Sequence, residues 1–430
     1  IIHHLREHRI KPEQLTQAFF DFVLLGEGEI DKVAKQTEIP QSLLETMRNE
    51  VEYWYPNDQR QTAYDHIPNH LSFFIFHHTA IFPERYWPKI ITLNEFVILE
   101  GRKMSKSKGN VIPMAEIPKR YGADLFRLYM SQIGDLATLI DWRDKEVVTI
   151  RRKLNRLVRT LLSTTKTEFT SLKPSSLNLM SRWLLSKVNT IISTATEALE
   201  QFRFRAYILD AFFKLQNHVD FYQRRMKGNE PERNKVLRYV AERWVKLLSP
   251  IIPHICEEIW ERMGYISFIS LESWPSVDEE FQNETVEQAI EVVLQTITDI
   301  KEVKSLLRSK QPKAVHIYVS PSWKFDALSK LQASQKALTI KDLMPVLMAD
   351  PTHRERGKDA SELVQAVTKA GGFWTFADKS TELEALSECL DLIQAETGLT
   401  VKIQDADNPS EDPENRASRA LPGRPALYLI

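Results

Sequence analysis

The segment that most constrains this chain is a short basic run at residues 101–110, which reads GRKMSKSKGN. It places four cationic side chains and two serines between two glycines, and it contains no acidic and no aromatic residue. An apolar run at 90–99 predicts a strand before it, and the segment after Pro113 predicts a helix. Glycines let such a loop approach a ligand closely, and fixed lysines stabilise charge that develops during phosphoryl or nucleotidyl transfer. The pattern therefore favours a polyphosphate-binding loop; the alternative is a solvated basic loop.

Within this run, residues 103–107 read KMSKS, the signature of class I aminoacyl-tRNA synthetases, and Gly109 and Asn110 extend the match. Three other segments narrow the resemblance, namely IPNHLSFFIFHH at 67–78, GADLFRLY at 122–129 and DWR at 141–143. Together they resemble the C-terminal portion of leucyl-tRNA synthetases of the archaeal and eukaryotic-cytosolic type. The resemblance is strongest between residues 54 and 129 and loosest after residue 280.

The resemblance implies a leucine–tRNA ligase that uses ATP with Mg²⁺ to activate leucine and then transfers it to tRNA(Leu). It implies that Lys106 and Lys103 are catalytic through contacts with the phosphates. The implied ATP-binding residues are Lys103, Met104, Ser105, Lys106, Ser107, Asn69 and His70. For His70 the alternative is a hydrogen-bonded histidine of the core. At 62–65 the chain reads TAYD where the family usually has SGKD, so a glycine and a cation are missing there.

Two parts of such enzymes have no counterpart in this sequence. No H-x-G-H motif, the HIGH-type signature of the first half of the nucleotide-binding fold, occurs anywhere, and no inserted editing domain is recognisable. We therefore expect a fragment, or one subunit that works with a separate N-terminal half carrying the HIGH motif. Two alternatives stay open: an isoleucyl- or valyl-type class I ligase, and a non-catalytic tRNA-binding subunit derived from a synthetase.

Candidate RNA contacts are local, because the formal net charge of the chain is only −1. Basic residues crowd two helical segments, and by charge alone each could also be a solvated helix face. Phosphate contacts of this kind give salt-dependent affinity and little sequence reading. We expect tRNA binding by Arg151, Arg152, Arg156, Arg224 and Arg225.

Other signals exclude several classes of site. The two cysteines, Cys256 and Cys389, have no zinc-ligand spacing and indicate a reducing, cytoplasmic location. No apolar run reaches about 18 residues, so no membrane association is expected. His77 and His78 are adjacent and point apart on a helix or strand, so no metal site is expected there.

The expected fold class is multidomain. The resemblance implies the second half of an α/β Rossmann-type catalytic domain at 1–100, and the KMSKS loop with a helical connector at 101–148. An all-α anticodon-binding-type helix bundle follows at 149–277, and a small α+β tRNA-binding module at 284–430. The apolar run at 67–81 predicts a fully buried helix or strand, and the acidic residues between 278 and 291 predict a linker. In the last module we expect strands at 314–319, 399–403 and 426–429, with helices near 322–335, 358–370 and 382–396.

Overall fold

The computed structural model describes residues 1–105, 107, 109–307 and 312–430. The chain divides into two compact units. Unit 1 contains residues 1–150 and 201–205, and unit 2 contains residues 151–200 and 206–430.

Unit 1 begins with four short helices around a small apolar core. A π-helical turn at Asp21–Leu25 continues the second helix, and the core residues include Phe19, Val23, Leu44 and Met47. The threonine before the second helix caps it, because the Thr16 hydroxyl accepts a hydrogen bond from the amide of Phe19. The helices are α1 (Ile2–Glu7), α2 (Gln17–Phe20), α3 (Ile30–Thr37) and α4 (Gln41–Trp54).

A βαβ unit follows, in which β1 (Gln59–Ala63) and β2 (Ile90–Asn94) form a two-stranded parallel sheet. The register runs from the pair Gln59 and Ile90 to the pair Ala63 and Asn94. The connection passes through a 3₁₀ turn, a π-helical turn at Ile67–Leu71 and the helix α5 (Ser72–Ile81).

The expectation that residues 67–81 are fully buried is wrong. Leu71 and His78 are buried, but Phe73 and Phe76 are 64% and 68% exposed. Only two strands lie in the sheet of this βαβ unit within the described part of the chain, so little is available to cover the other sides of α5.

The predicted continuous strand at 90–99 is also wrong, because it breaks after Asn94. Its second part, β3 (Val97–Leu99), is the middle strand of another sheet, between antiparallel β4 (Arg102–Lys103) and parallel β5 (Ile140–Trp142). Two helices, α6 (Ile117–Arg120) and α7 (Ala123–Ile133), lie between β4 and β5 in sequence. The basic run is therefore tied to a small three-stranded sheet.

The helical character predicted for residues 149–277 is confirmed. The last part of α8 and the helices after it pack around large side chains that include Tyr222, Trp244 and Trp260. α12 ends before Pro250 and α13 starts at Pro253, as the two prolines predict. The helices are α8 (Asp144–Thr164), α9 (Leu179–Glu200), α10 (Phe204–Ile208), α11 (Leu215–Arg225), α12 (Glu230–Leu248) and α13 (Pro253–Arg262).

The acidic segment predicted as a linker is largely helical, which corrects that expectation. From Glu284 onward it forms α14 (Glu284–Leu306), and Glu287 on this helix accepts hydrogen bonds from Ser186 and Lys187 of α9. Pairing with a lysine and with hydroxyls explains how the Glu287 carboxylate lies against α9 instead of in a solvated connection.

The C-terminal region of unit 2 is α+β, as predicted. Its central strand β6 (Ala314–Val319) lies parallel to β7 (Thr400–Asp405) and antiparallel to β8 (Ala426–Leu429). The helix expected near 382–396 is divided at Cys389 into two. The helices are α15 (Ser322–Ala333), α16 (Ile340–Met348), α17 (Pro351–Arg354), α18 (Gly357–Ala370), α19 (Lys379–Glu388) and α20 (Leu390–Thr397). None of the described helices has the length and apolar character that a membrane span requires.

Candidate functional site

The basic run begins as a tight hairpin. β3 and β4 pair Leu99 with Arg102 and Ile98 with Lys103, so only Glu100 and Gly101 form the turn. Both turn residues have positive φ, 48° and 76°, as a two-residue turn of type I′ requires. Glycine at 101 adopts this conformation without the steric cost of a side chain.

Strand β5 holds the turn of this hairpin. The amide of Gly101 donates to Oδ1 of Asp141 over 2.9 Å, and the amide of Glu100 donates to the carbonyl of Trp142 over 3.0 Å. The Gly101 amide, together with the guanidinium of Arg143 at 2.9 Å, lowers the pKa of the Asp141 carboxyl. Asp141 is therefore an ionised anchor for the start of the loop.

Asn110 closes the loop at its other end. Its side-chain amide donates to the carbonyl of Lys103 over 3.0 Å, and its Oδ1 accepts from the amide of Ser105 over 2.9 Å. The hydroxyls of Ser105 and Ser107 are 2.8 Å apart. These bonds bring Asn110 back to Lys103 and Ser105, which closes a ring between the two ends of the loop.

The structure places most of the predicted phosphate-binding residues on this ring. The side chain of Lys103 is exposed, and its Nζ lies 4.9 Å from the centre of the Phe96 ring. Met104 and Ser105 are half-buried and Ser107 is exposed. Lys106 lies outside the described residues.

Asn69 and His70 lie on the π-helical turn before α5. His70 is exposed, so the interpretation of this residue as a core histidine is wrong. The Asn69 amide donates to the carbonyl of Asp65 over 3.4 Å, and its Oδ1 accepts from the amide of His70. Among the described residues, no hydrogen bond joins this turn to the 101–110 loop.

The positioning roles of Asn110 and Asp141 were not predicted from the sequence. Asparagine in a short loop commonly hydrogen-bonds to nearby backbone, so a backbone contact of Asn110 could have been predicted. The role of Asp141 could not, because its partner Gly101 lies 40 residues earlier in the chain.

The predicted RNA-binding residues on α8 form an exposed basic face. Arg151, Arg152 and Arg156 are all exposed. The guanidinium of Arg156 contacts the carboxylate of Asp220 at 2.8 Å, which reduces its net charge toward a phosphate. The helix therefore presents a row of exposed cations, and Asp220 partly neutralises Arg156 among them.

Arg224 and Arg225, at the end of α11, differ sharply in their surroundings. Arg224 is exposed. The side chain of Arg225 is only 10% exposed and forms a two-pronged pair with the carboxylate of Asp391 on α20. This hydrogen bonding is the main cause of the lowered pKa of Asp391. Arg225 thus joins α11 to the α+β region, and its guanidinium is already hydrogen-bonded to a carboxylate.

Among the described residues, no group of three potential metal ligands lies at the 101–110 loop. In the described part of the chain, groups of three potential metal ligands occur at His4, Glu7 and His8, and at Asp326, Asp350 and His353. Neither group includes a residue of the 101–110 loop. In the second group, the ammonium of Lys330 already lies 2.7 and 2.6 Å from the two carboxylates and supplies the positive charge.

Two known families match separate parts of the chain. A family of class I tRNA synthetases (I, L, M and V) matches residues 35–158. The anticodon-binding domain of tRNA ligase matches residues 181–319. The 101–110 loop lies inside the first match, and the second match contains most of α9 and all of α10 to α14.

Three individual relatives illustrate the match, and each is a leucine–tRNA ligase. The leucine–tRNA ligase of Pyrococcus abyssi is 39% identical over 433 residues, which cover 100% of this chain and 44% of that protein. The leucine–tRNA ligases of Staphylothermus marinus and Methanocaldococcus jannaschii are 38% and 37% identical, over 44% and 43% of their lengths. The chain spans less than half the length of these curated relatives. Over its whole length the chain is similar to leucine–tRNA ligases of the class I tRNA synthetases, and it corresponds to the C-terminal portion of these proteins.

Proposed function

We propose that this chain supplies the KMSKS loop and the tRNA-binding regions of a leucine–tRNA ligase, which activates leucine with ATP and transfers it to tRNA(Leu). The observation that supports the proposal is the ring closed by Asn110 on the hairpin of β3 and β4, because it anchors both ends of the segment that carries the KMSKS sequence. Anchoring both ends of a loop reduces the entropy lost when its lysines close on a ligand.

The chemistry follows from where charge develops. When the leucine carboxylate attacks the α-phosphorus of ATP, negative charge grows on the departing pyrophosphate. We assign the main contact with these phosphates to Lys106 and a second contact to Lys103. Ser105 and Ser107 order the loop or bond to phosphate. Cations that meet the charge only as it forms lower the barrier more than they tighten ground-state binding.

Mg²⁺ arrives with ATP in this proposal. Asn69 and His70 are proposed as ATP contacts on the exposed turn before α5. The replacement of glycine by Ala63 and of lysine by Tyr64 leaves fewer backbone and cationic contacts to the nucleotide there.

We propose the following domain roles. Residues 1–100 contribute the second half of a Rossmann-type catalytic domain, and residues 101–148 contribute the loop and its connector. Residues 149–277 form the tRNA-binding bundle, and residues 284–430 form a module that recognises the shape of tRNA(Leu). In the bundle, phosphate contacts are assigned to Arg151, Arg152, Arg156 and Arg224, whereas Arg225 holds the module through Asp391.

Leucine-dependent ATP–pyrophosphate exchange tests the catalytic part of the proposal. The protein to use is a chimera, in which this chain replaces the matching region of the Pyrococcus abyssi enzyme. In the chimera, Lys106→Ala should lower the exchange rate about 10²–10³-fold, as does loss of one preorganised donor to a transition state. The KM for leucine should change little. Lys119→Ala, at an exposed lysine outside the 101–110 loop, is the control and should leave exchange unchanged.

Three outcomes would change the assignment. Near wild-type exchange by the Lys106→Ala chimera would mean that the loop is structural. Exchange that depends on isoleucine or valine would favour the other class I ligases. Binding of tRNA(Leu) without any exchange would favour a non-catalytic tRNA-binding protein. This chain alone, which lacks a HIGH-type motif, should show no exchange.

A further inference from the structure

The ammonium of Lys103 lies against an aromatic ring that comes from outside the basic loop. Its Nζ is 4.9 Å from the centre of the Phe96 ring, which is within the distance at which a cation is attracted to an aromatic face. Among the described residues, no ion pair joins Lys103 to a carboxylate. The lysine therefore has an attractive partner that leaves its positive charge unpaired.

The strand pairing explains this contact. Lys103 in β4 lies directly opposite Ile98 in β3, so the two side chains project from the same face of the hairpin. Phe96 stands two residues before Ile98, and the alternation of side chains along the strand turns it to that face as well. Diagonal neighbours of this kind are within reach of aromatic and long side chains. The contact therefore depends on the register of the hairpin, which the two-residue turn sets.

Backbone hydrogen bonds fix the position of Phe96. The amide of Ile140 donates to the carbonyl of Phe96 over 3.1 Å, and the amide of Glu95 donates to the carbonyl of Leu136 over 2.9 Å. Phe96 is half-buried, whereas Lys103 is exposed. A ring on a fixed backbone thus supports a long, flexible and exposed side chain.

An aromatic partner suits a lysine that has to meet phosphate. A carboxylate would cancel the charge of the ammonium, as Asp391 does for the guanidinium of Arg225. The ring attracts the cation without neutralising it. An ammonium carries three N–H groups, so it can donate to a phosphate oxygen while it stays against the ring. A side chain that is already restrained also loses less conformational entropy when it binds.

We propose that Phe96 is a positioning residue for Lys103, because its ring keeps the ammonium on one face of the β3–β4 hairpin before ATP arrives and during the contact with phosphate. This inference rests on the proposed function, in which Lys103 meets the phosphates while the adenylate forms. Phe96 touches no reacting atom. Its effect on the rate therefore passes entirely through Lys103.

Pyrophosphate exchange by the chimera with the Pyrococcus abyssi enzyme tests this dependence. Phe96→Leu keeps an apolar side chain but removes the ring, and it should lower the exchange rate about two- to fivefold, the value of one exposed cation–aromatic contact. Phe96→Tyr keeps the ring and should exchange at the wild-type rate. The KM for leucine should not change in either variant. Phe213→Leu, which removes the ring 4.5 Å from Nζ of Lys153, is the matched control and should leave exchange unchanged.

The decisive comparison repeats Phe96→Leu in a Lys103→Ala background. If Phe96 acts through this lysine, the second substitution should cause no further loss of exchange. A further loss as large as that in the wild-type background would show that Phe96 has only a structural role and would overturn the proposal. Wild-type exchange by Phe96→Leu, with Lys103→Ala slow, would overturn the proposal and leave the phosphate contact of Lys103 intact. Wild-type exchange by Lys103→Ala would reject that phosphate contact and, with it, the role of Phe96 in the reaction.

A measurement on this chain alone requires no leucine, ATP or tRNA. Reductive methylation with isotope-labelled formaldehyde keeps the charge of each lysine and gives it a methyl signal in NMR spectra. The Lys103 signal, identified by its loss in Lys103→Arg, should be shifted upfield by the Phe96 ring and should lose this shift in Phe96→Leu. The Lys153 signal, which the Phe213 ring shifts in the same way, should stay in place and so reports that the chain is folded. A Lys103 signal that is identical in the wild type and in Phe96→Leu would overturn the proposal.

Discussion

Replacing Glu382 by glutamine is expected to stabilise unit 2 at pH 7.5 and to change its stability much less at pH 5. The side chain of Glu382 on α19 is completely buried. Its Oε1 accepts hydrogen bonds from the amides of Ala377 at 3.1 Å and Gly423 at 2.9 Å. Its Oε2 is buried without a hydrogen-bond partner in the described structure. Burial raises the pKa of this carboxyl to about 8.

The sign of the effect follows from the protonation of Glu382 in the unfolded and folded states. In the unfolded chain the carboxyl has an ordinary pKa near 4.5, so it is ionised at pH 7.5, whereas the folded chain must keep it protonated. The contribution of protonated Glu382 to the free energy of unfolding is therefore fully present below pH 4.5, and it is lost progressively as the pH rises toward 8. One proton changes the free energy of unfolding by about 1.4 kcal/mol per pH unit, so the loss between pH 5 and 7.5 is about 3 kcal/mol.

Glutamine keeps an oxygen that can accept both amide hydrogen bonds and carries no charge. The difference in unfolding free energy between Glu382→Gln and the wild type should therefore grow by about 3 kcal/mol from pH 5 to pH 7.5. Urea denaturation followed by tryptophan fluorescence measures it at both pH values. Glu355→Gln, at an exposed glutamate, should show a pH response equal to that of the wild type. A difference that is the same at both pH values would show that Glu382 is ionised in the fold and would refute the reasoning.

Three further perturbations test other contacts. Asn110→Ala should raise the rate of tryptic cleavage within the loop severalfold, because it removes both hydrogen bonds that close the ring; an unchanged rate would mean that these bonds do not hold the loop. A double-mutant cycle on Arg225→Ala and Asp391→Asn should give a coupling of about 1 kcal/mol in urea denaturation, since the carboxylate is largely exposed. A coupling near zero would mean that this pair does not stabilise the packing of α11 against α20. Arg152→Ala should reduce the slope of log affinity against log salt for tRNA by about 1 in filter binding; an equal slope would remove this residue from the phosphate contacts.

The features that could be predicted from the sequence are local ones. Residues 103–107 identify the loop because neighbouring residue types alone define the signature, and the helices between 149 and 264 follow from periodicity within each segment. Neither kind of information requires knowledge of what lies across the fold.

The roles that depend on distant residues were decided by tertiary structure alone. Arg225 looked like a phosphate contact among neighbouring cations, yet its partner Asp391 lies 166 residues away and occupies its fork. Asp141 became an anchor because a parallel strand pairing brings it to Gly101. Helix α5 has the composition of a buried helix, but burial depends on which elements pack against it, and composition specifies only that covering it would be favourable. Sequence therefore determined which side chains are suited to bind phosphate or to be buried, and the packing of distant segments decided which of them are free to do so.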